Sequence, residues 1–136
     1  MTASRRMTDV RAAVLDDTQL NAHRLRRPGF LERIIVAYME EAPKYIKSLR
    51  TAIATKDRAK LKMAAHTFKS SSYNVGGVNL AELCQQLELA SENGDDEQAL
   101  SEMVDRVGGA YFEVEEALKM VLLELRKSTT IPAQQA

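Results

Sequence analysis

Between Leu31 and Ile53 the apolar residues recur at steps of three and four: Leu31, Ile34, Ile35, Tyr38, Ala42, Tyr45, Ile46, Leu49 and Ile53. That rhythm is the period of an α-helix and gathers these residues on one face, whereas a half-buried strand alternates by two. Pro43 lies inside the run. An interior proline loses one backbone hydrogen bond and clashes with the turn before it. The stripe nevertheless keeps its phase across Pro43, so the spacing predicts one kinked helix from about Phe30 to Ala54. Phe30 and Val36 fall off the stripe and are expected to be exposed. A face this one-sided has to be covered, and the rest of the chain supplies the partners.

Asp16, Asp17 or Thr18 can cap a short helix running to about Leu25, and Pro28-Gly29 breaks it. Asp57 opens a helix from about Arg58 to Asn74, and Gly76-Gly77 stops it. Asn79 with Glu82 has the outline of a capping box. Leu80, Leu83, Cys84, Leu87 and Ser91 then line a helix ending near Asn93-Gly94. The last helix starts at Asp95 or Asp96 and carries Leu100, Met103, Val104, Val107, Tyr111, Val114, Leu118, Val121, Leu122 and Leu125, weakened locally by Gly108-Gly109. No strand-like alternation is sustained. The predicted class is all-α: an antiparallel four-helix bundle over residues 14–127, with the short first helix covering one end. Residues 1–13 are predicted to be a flexible segment and 128–136 a disordered tail.

Composition narrows the function. Lys plus Arg and Asp plus Glu balance at 19 each, against the basic excess of a nucleic-acid binder. Arg24, Arg26 and Arg27 read as a solvated helix end. No apolar run approaches the ~20 residues of a membrane span, and the N-terminus lacks the apolar core of a signal peptide. A cytoplasmic domain is expected. Cys84 is the only cysteine, which excludes an intrachain disulfide and a cysteine zinc site; it reads as a small core residue. The two histidines, His23 and His66, are remote in sequence, so a metal site at His66 is disfavoured, and His23 is given no role.

On the helix from Arg58 to Asn74, Leu61, Ala64, Ala65, Phe68, Ser71, Ser72 and Val75 share one side at about 100° per residue. His66 points the other way, in company with Lys62, Lys69, Ser70 and Tyr73. Lys69 and Ser70 follow His66 at the three- and four-residue steps that make neighbours on a helix surface. An imidazole facing water, with a cation on one side and a small residue on the other, can accept a phosphoryl group: a neutral imidazole nitrogen is nucleophilic near pH 7. Phosphoryl transfer asks mainly for positioning and charge neutralisation. Lys69 can approach the phosphoryl oxygens as a mobile charge. Ser70 leaves room for an attacking partner and can donate a hydrogen bond.

The run Ala65-His66-Thr67-Phe68-Lys69-Ser70-Ser71-Ser72, then Val75-Gly76-Gly77, then Leu80-Ala81-Glu82-Leu83-Cys84-Gln85-Gln86-Leu87-Glu88 resembles the signature of histidine-containing phosphotransfer (HPt) domains. The likeness extends upstream to Tyr38 and Pro43 and covers about residues 14–125. It implies that His66 accepts the phosphoryl group from a receiver-domain aspartate and passes it to the aspartate of another receiver, with Lys69 assisting the charge. Ser70 departs from the glycine commoner at its position and is still small. The resemblance also implies no cofactor of its own, magnesium residing on the partner receiver, and no ATP binding or autokinase activity. The implied partners are response-regulator receivers and a hybrid sensor kinase. Lys62, Met63 and Tyr73 are the candidate docking residues around His66. Two other readings stand beside this one: a helical interaction module that binds receivers without transfer, and a phosphotransfer domain linked to a kinase. A stand-alone protein or the last domain of a hybrid kinase is expected, and a monomer, because the bundle consumes the apolar stripes.

Overall fold

The computed structural model describes residues 14–135, with side chains as far as Lys127. The flexible segment expected at 1–13 lies outside the described residues. Five helices run in order: α1 Asp17–Arg24, α2 Phe30–Thr55, α3 Arg58–Asn74, α4 Val78–Asn93 and α5 Glu97–Gln135. The connections between α2, α3, α4 and α5 are too short for any arrangement but antiparallel neighbours. α2 and α4 each pack against both α3 and α5, which closes a ring of four, and α1 lies on α2 and α3. Surface ion pairs follow the antiparallel sense, with Lys62–Glu92 and Lys69–Glu88 between α3 and α4 and Glu32–Arg126 and Arg50–Asp105 between α2 and α5. The fold is the all-α four-helix bundle with a short leading helix that the periodicity predicts.

The helix starts follow their capping chemistry. Asp16 accepts from the Thr18 amide at 2.7 Å, Asp57 from the Lys60 amide at 3.0 Å and Asp96 from the Ala99 amide at 2.8 Å. α4 is an exception. It starts at Val78 on Gly77, with no side-chain cap, so Asn79 lies within its first turn and not ahead of it. The reason is the preceding turn: the Gly77 amide donates to Ser72 O at 2.8 Å and the Ala81 amide to Gly77 O at 2.9 Å. The chain therefore leaves α3 and enters α4 without a free residue to act as cap. Gly76 sits at φ 85°, where an L side chain is strained. A Cβ there would also collide with the backbone carbonyl of Asp16. The Asp16 amide donates to Gly76 O at 2.6 Å, which ties the leading segment to the end of α3.

Pro43 is accommodated within one continuous α2. Phe30 and Val36, expected outside, are both half-buried. Val36 packs on the core, and Phe30 lies between His23 and the guanidinium groups of Arg26 and Arg27. α5 continues as helix to Gln135, where the sequence suggests a disordered tail from Ser128. Each added residue of an established helix gains a backbone bond without a new nucleation cost, and the one breaker of the segment, Pro132, comes only in its last turn.

Phe68 on α3 is fully buried. Tyr45 and Tyr38 on α2 stack on it with centroids at 5.5 and 6.2 Å, and Tyr111 of α5 meets it at 6.1 Å. Such pairs add to plain burial. The Tyr38 hydroxyl and the buried Ser72 Oγ satisfy each other at 2.8 Å. Burial drives both Tyr38 and Tyr111 up, Tyr111 to about 12. Cys84 is also in the core, its thiol pushed to about 12 by burial.

Candidate functional site

Phe68 fixes which way α3 faces. With its ring held among three tyrosines and Leu61, Ala65 and Ser72 buried on the same side, the residue two positions earlier has to point outward. His66 does so, with 60% of its side chain exposed. Ser70 is exposed one turn on, beside an open groove of about 410 Å³ that Tyr73, Ala81, Glu82 and Gln85 help to line. Met63 and Tyr73 are 72% and 51% exposed, so both stand clear of the core. Lys62 faces solvent but is held by Glu92 of α4 at 2.6 Å. The structure thus brings all six residues singled out from the sequence to one surface.

It also adds one that the helical reading of α3 misses. Glu88 of α4 reaches between His66 and Lys69: its Oε2 lies 2.9 Å from His66 Nδ1, and its Oε1 accepts from Lys69 Nζ at 3.0 Å. Lys69 is therefore not a loose charge; its side chain is only 25% exposed and anchored across the helix pair. Partial burial opposes the charge on Glu88, but the hydrogen bonds and positive charges of Lys69 and His66 outweigh it and hold the carboxyl below its ordinary range. The lowered pKa makes this tie a stabilising one above the ordinary glutamate range, and its contribution is lost as pH falls through the lowered pKa.

An ionised carboxylate can only accept. The proton of the neutral imidazole is thereby assigned to Nδ1, and Nε2 is left with its lone pair directed at solvent. This assignment follows from the hydrogen-bond partner and not from an observed hydrogen. Glu88 also places a negative charge on the side of the ring away from the open nitrogen. The arrangement can present a nucleophilic nitrogen of fixed tautomer, offset any positive charge the ring acquires, and offer Lys69 for oxyanions nearby. Leu89, the next residue of α4, is 48% exposed and adds an apolar element that the sequence reading did not single out.

Among the described residues no group of three or more His, Cys, Asp and Glu side chains is placed to hold a metal ion. No helix there is long and apolar enough to cross a membrane. His23, given no role, donates from Nε2 to Asn74 O at 2.8 Å, since a carbonyl can only accept, and so satisfies the C-terminal end of α3.

The family model described as the Hpt domain matches residues 33–126. A search of curated proteins found no match. Among solved structures, histidine-containing phosphotransfer protein B of Pseudomonas aeruginosa superposes with a TM-score of 0.79 at 24% identity, over 83% of this chain and 97% of that one. A rice protein described as a histidine-containing phosphotransfer protein gives a TM-score of 0.77 at 15% identity, over 89% of this chain and 91% of that one. Likenesses at these identities establish a shared fold.

Proposed function

The chain belongs to the Hpt domain family, a phosphocarrier domain and not a kinase catalytic domain, and from that premise we propose that it is a phosphorelay intermediate whose acceptor is His66 Nε2. The observation that carries the reading is the exposed imidazole whose other nitrogen is engaged by the carboxylate of Glu88. A receiver domain carrying an aspartyl phosphate docks over His66. The Nε2 lone pair attacks phosphorus, the N–P bond forms, and the O–P bond to the aspartate breaks with its electron pair returning to the carboxylate. The Nδ1 proton stays where it is, so the phosphorylated ring takes on positive charge, and Glu88 faces that charge. Lys69, held beside the ring by Glu88, offers its charge to the phosphoryl oxygens. Transfer to the aspartate of a second receiver is the same step reversed. Positioning and electrostatics supply the catalysis on this side, while the metal, magnesium by the family's habit, belongs to the receiver. Action in the cytoplasm is part of the same proposal.

The docking face assigned here is the exposed surface of Lys62, Met63, Ser70 and Tyr73 around His66. Incubation with phosphorylated receiver domains tests the assignment: the label should move to this chain, be acid-labile and alkali-stable, and move on to a second unphosphorylated receiver. Ser70→Leu keeps the helix but fills the approach to Nε2; transfer in both directions should be blocked while the circular dichroism spectrum is unchanged. Unimpaired transfer by that variant contradicts the access argument.

Glu88→Ala should slow acceptance by about ten- to a hundredfold, by analogy with the loss of the partner that orients a metal-bound imidazole. Glu88→Gln, which keeps an acceptor oxygen and loses the charge, should fall between the two. Equal rates for all three proteins, measured as single-turnover transfer, exclude a role for the carboxylate.

A further inference from the structure

The bundle leaves one stripe outside that no part of the site uses. On the outer face of α5, Phe112, Glu116, Lys119 and Leu123 are spaced by four, three and four residues, which sets them in a single file within about 60° of arc at 100° per residue. Phe112 is 61% and Leu123 52% exposed, large apolar side chains at the two ends of the file. Glu116 and Lys119, 52% and 54% exposed, occupy its middle and pair with each other. Beside Leu123 an open groove of about 590 Å³ runs between α2 and α5, lined by Val36, Met39 and Leu122 and edged by the charged side chains of Glu40, Glu115, Lys119 and Arg126.

The order apolar, acidic, basic, apolar is self-complementary. A two-fold axis crossing α5 between Ala117 and Leu118 lays a second α5 antiparallel on the first. Phe112 then faces Leu123 of the second copy and Glu116 faces its Lys119, each contact made twice, as an isologous interface requires. The groove beside Leu123 provides a place for the incoming Phe112 ring, a knob entering a hole between two helices. Like charges do not meet in this register. A shift of the axis to Lys119 would oppose two lysines, which fixes the pairing. Against the monomer expected from the sequence, we propose that this chain self-associates as an antiparallel dimer through the outer face of α5, with a second copy of itself as the occupant of the Phe112–Leu123 stripe. α3 and α5 are not neighbours in the ring of four, so both His66 faces stay open and one dimer presents two acceptors. The proposal does not depend on the role assigned to His66.

Sedimentation equilibrium of the full chain tests it. The average mass should rise with concentration from one chain toward two. Phe112→Glu combined with Leu123→Glu should hold the mass at one chain with unchanged helix content. Glu116→Lys alone, or Lys119→Glu alone, should weaken association at least about tenfold because symmetry doubles each repulsion, and the two together should restore it. The register is read by mixing a Phe112→Cys chain with a Leu123→Cys chain under oxidation. The mixture should cross-link, and each chain alone should not. In the proposed pairing the two residues 112 lie about 16 Å apart along the axis, beyond disulfide reach. A wild type that remains at one chain's mass, a charge swap that fails to restore association, or cross-linking of Phe112→Cys by itself overturns the proposal. The first of these outcomes would leave the stripe to some other partner.

Discussion

His66→Gln abolishes phosphoryl acceptance from every receiver and leaves the helix content as it was. Glutamine is close to the imidazole in reach, and the side chain at this position is mostly in water, so nothing in the core registers the change. Its amide nitrogen has no available lone pair for attack on phosphorus, so the loss is of the nucleophile and not of affinity. Receiver binding, followed by titration of an unphosphorylated receiver, should stay within about threefold of wild type, since an exposed side chain contributes well under 1 kcal/mol to most interfaces. Label retained on the variant would place the acceptor elsewhere. His23 is the other histidine available, and its ring nitrogen Nε2 is already committed to Asn74 O.

Phe68→Ala costs about 3–5 kcal/mol, a large part of the ~5–15 kcal/mol that holds a domain of this size together. Phe68 is in contact with three tyrosines from two other helices, and its truncation leaves a cavity among their rings. The measurement is the midpoint of denaturant unfolding by circular dichroism. The same substitution should lower the transfer rate in the fraction that remains folded, because the ring sets the rotation of α3 and thus the direction of His66. Phe68→Leu, which keeps most of the volume, should recover most of the stability. An alanine variant with a wild-type midpoint would mean that the aromatic cluster does not organise the bundle.

The helices and their order are legible because the apolar stripes carry their own period, and the breakers Pro28-Gly29 and Gly76-Gly77 with the helix start at Asp57 leave little choice of topology. His66, Lys69 and Ser70 were legible for the same reason: once Phe68 is inside, they are outside. Glu88 was not. On its own helix it reads as a carboxylate next to a leucine on a solvated flank, and its function lies in a contact between α3 and α4. The signal was in the hairpin. His66 and Glu88 stand equally far in sequence from Gly77, so an antiparallel pair turning there sets them side by side. The start of α4 was misread because Asn79 has the right chemistry for a cap, and only the hydrogen bonds of the glycine turn use up the residues that would precede it. Val36 and Phe30 were misjudged for a related reason. A helix in a closed ring is covered on two sides, so residues beside the main stripe are buried by the second neighbour or, for Phe30, by the loop arginines.

In the proposed mechanism a carboxylate from α4 decides which nitrogen of His66 reacts. Phosphorus-coupled nitrogen NMR of the phosphorylated chain, labelled with ¹⁵N in its histidine rings, reads this directly. One phosphorylated ring is expected, that of His66, with the phosphorus coupling on Nε2 and the proton retained on Nδ1 toward Glu88. Phosphorus bonded to Nδ1, or carried by His23, would contradict it.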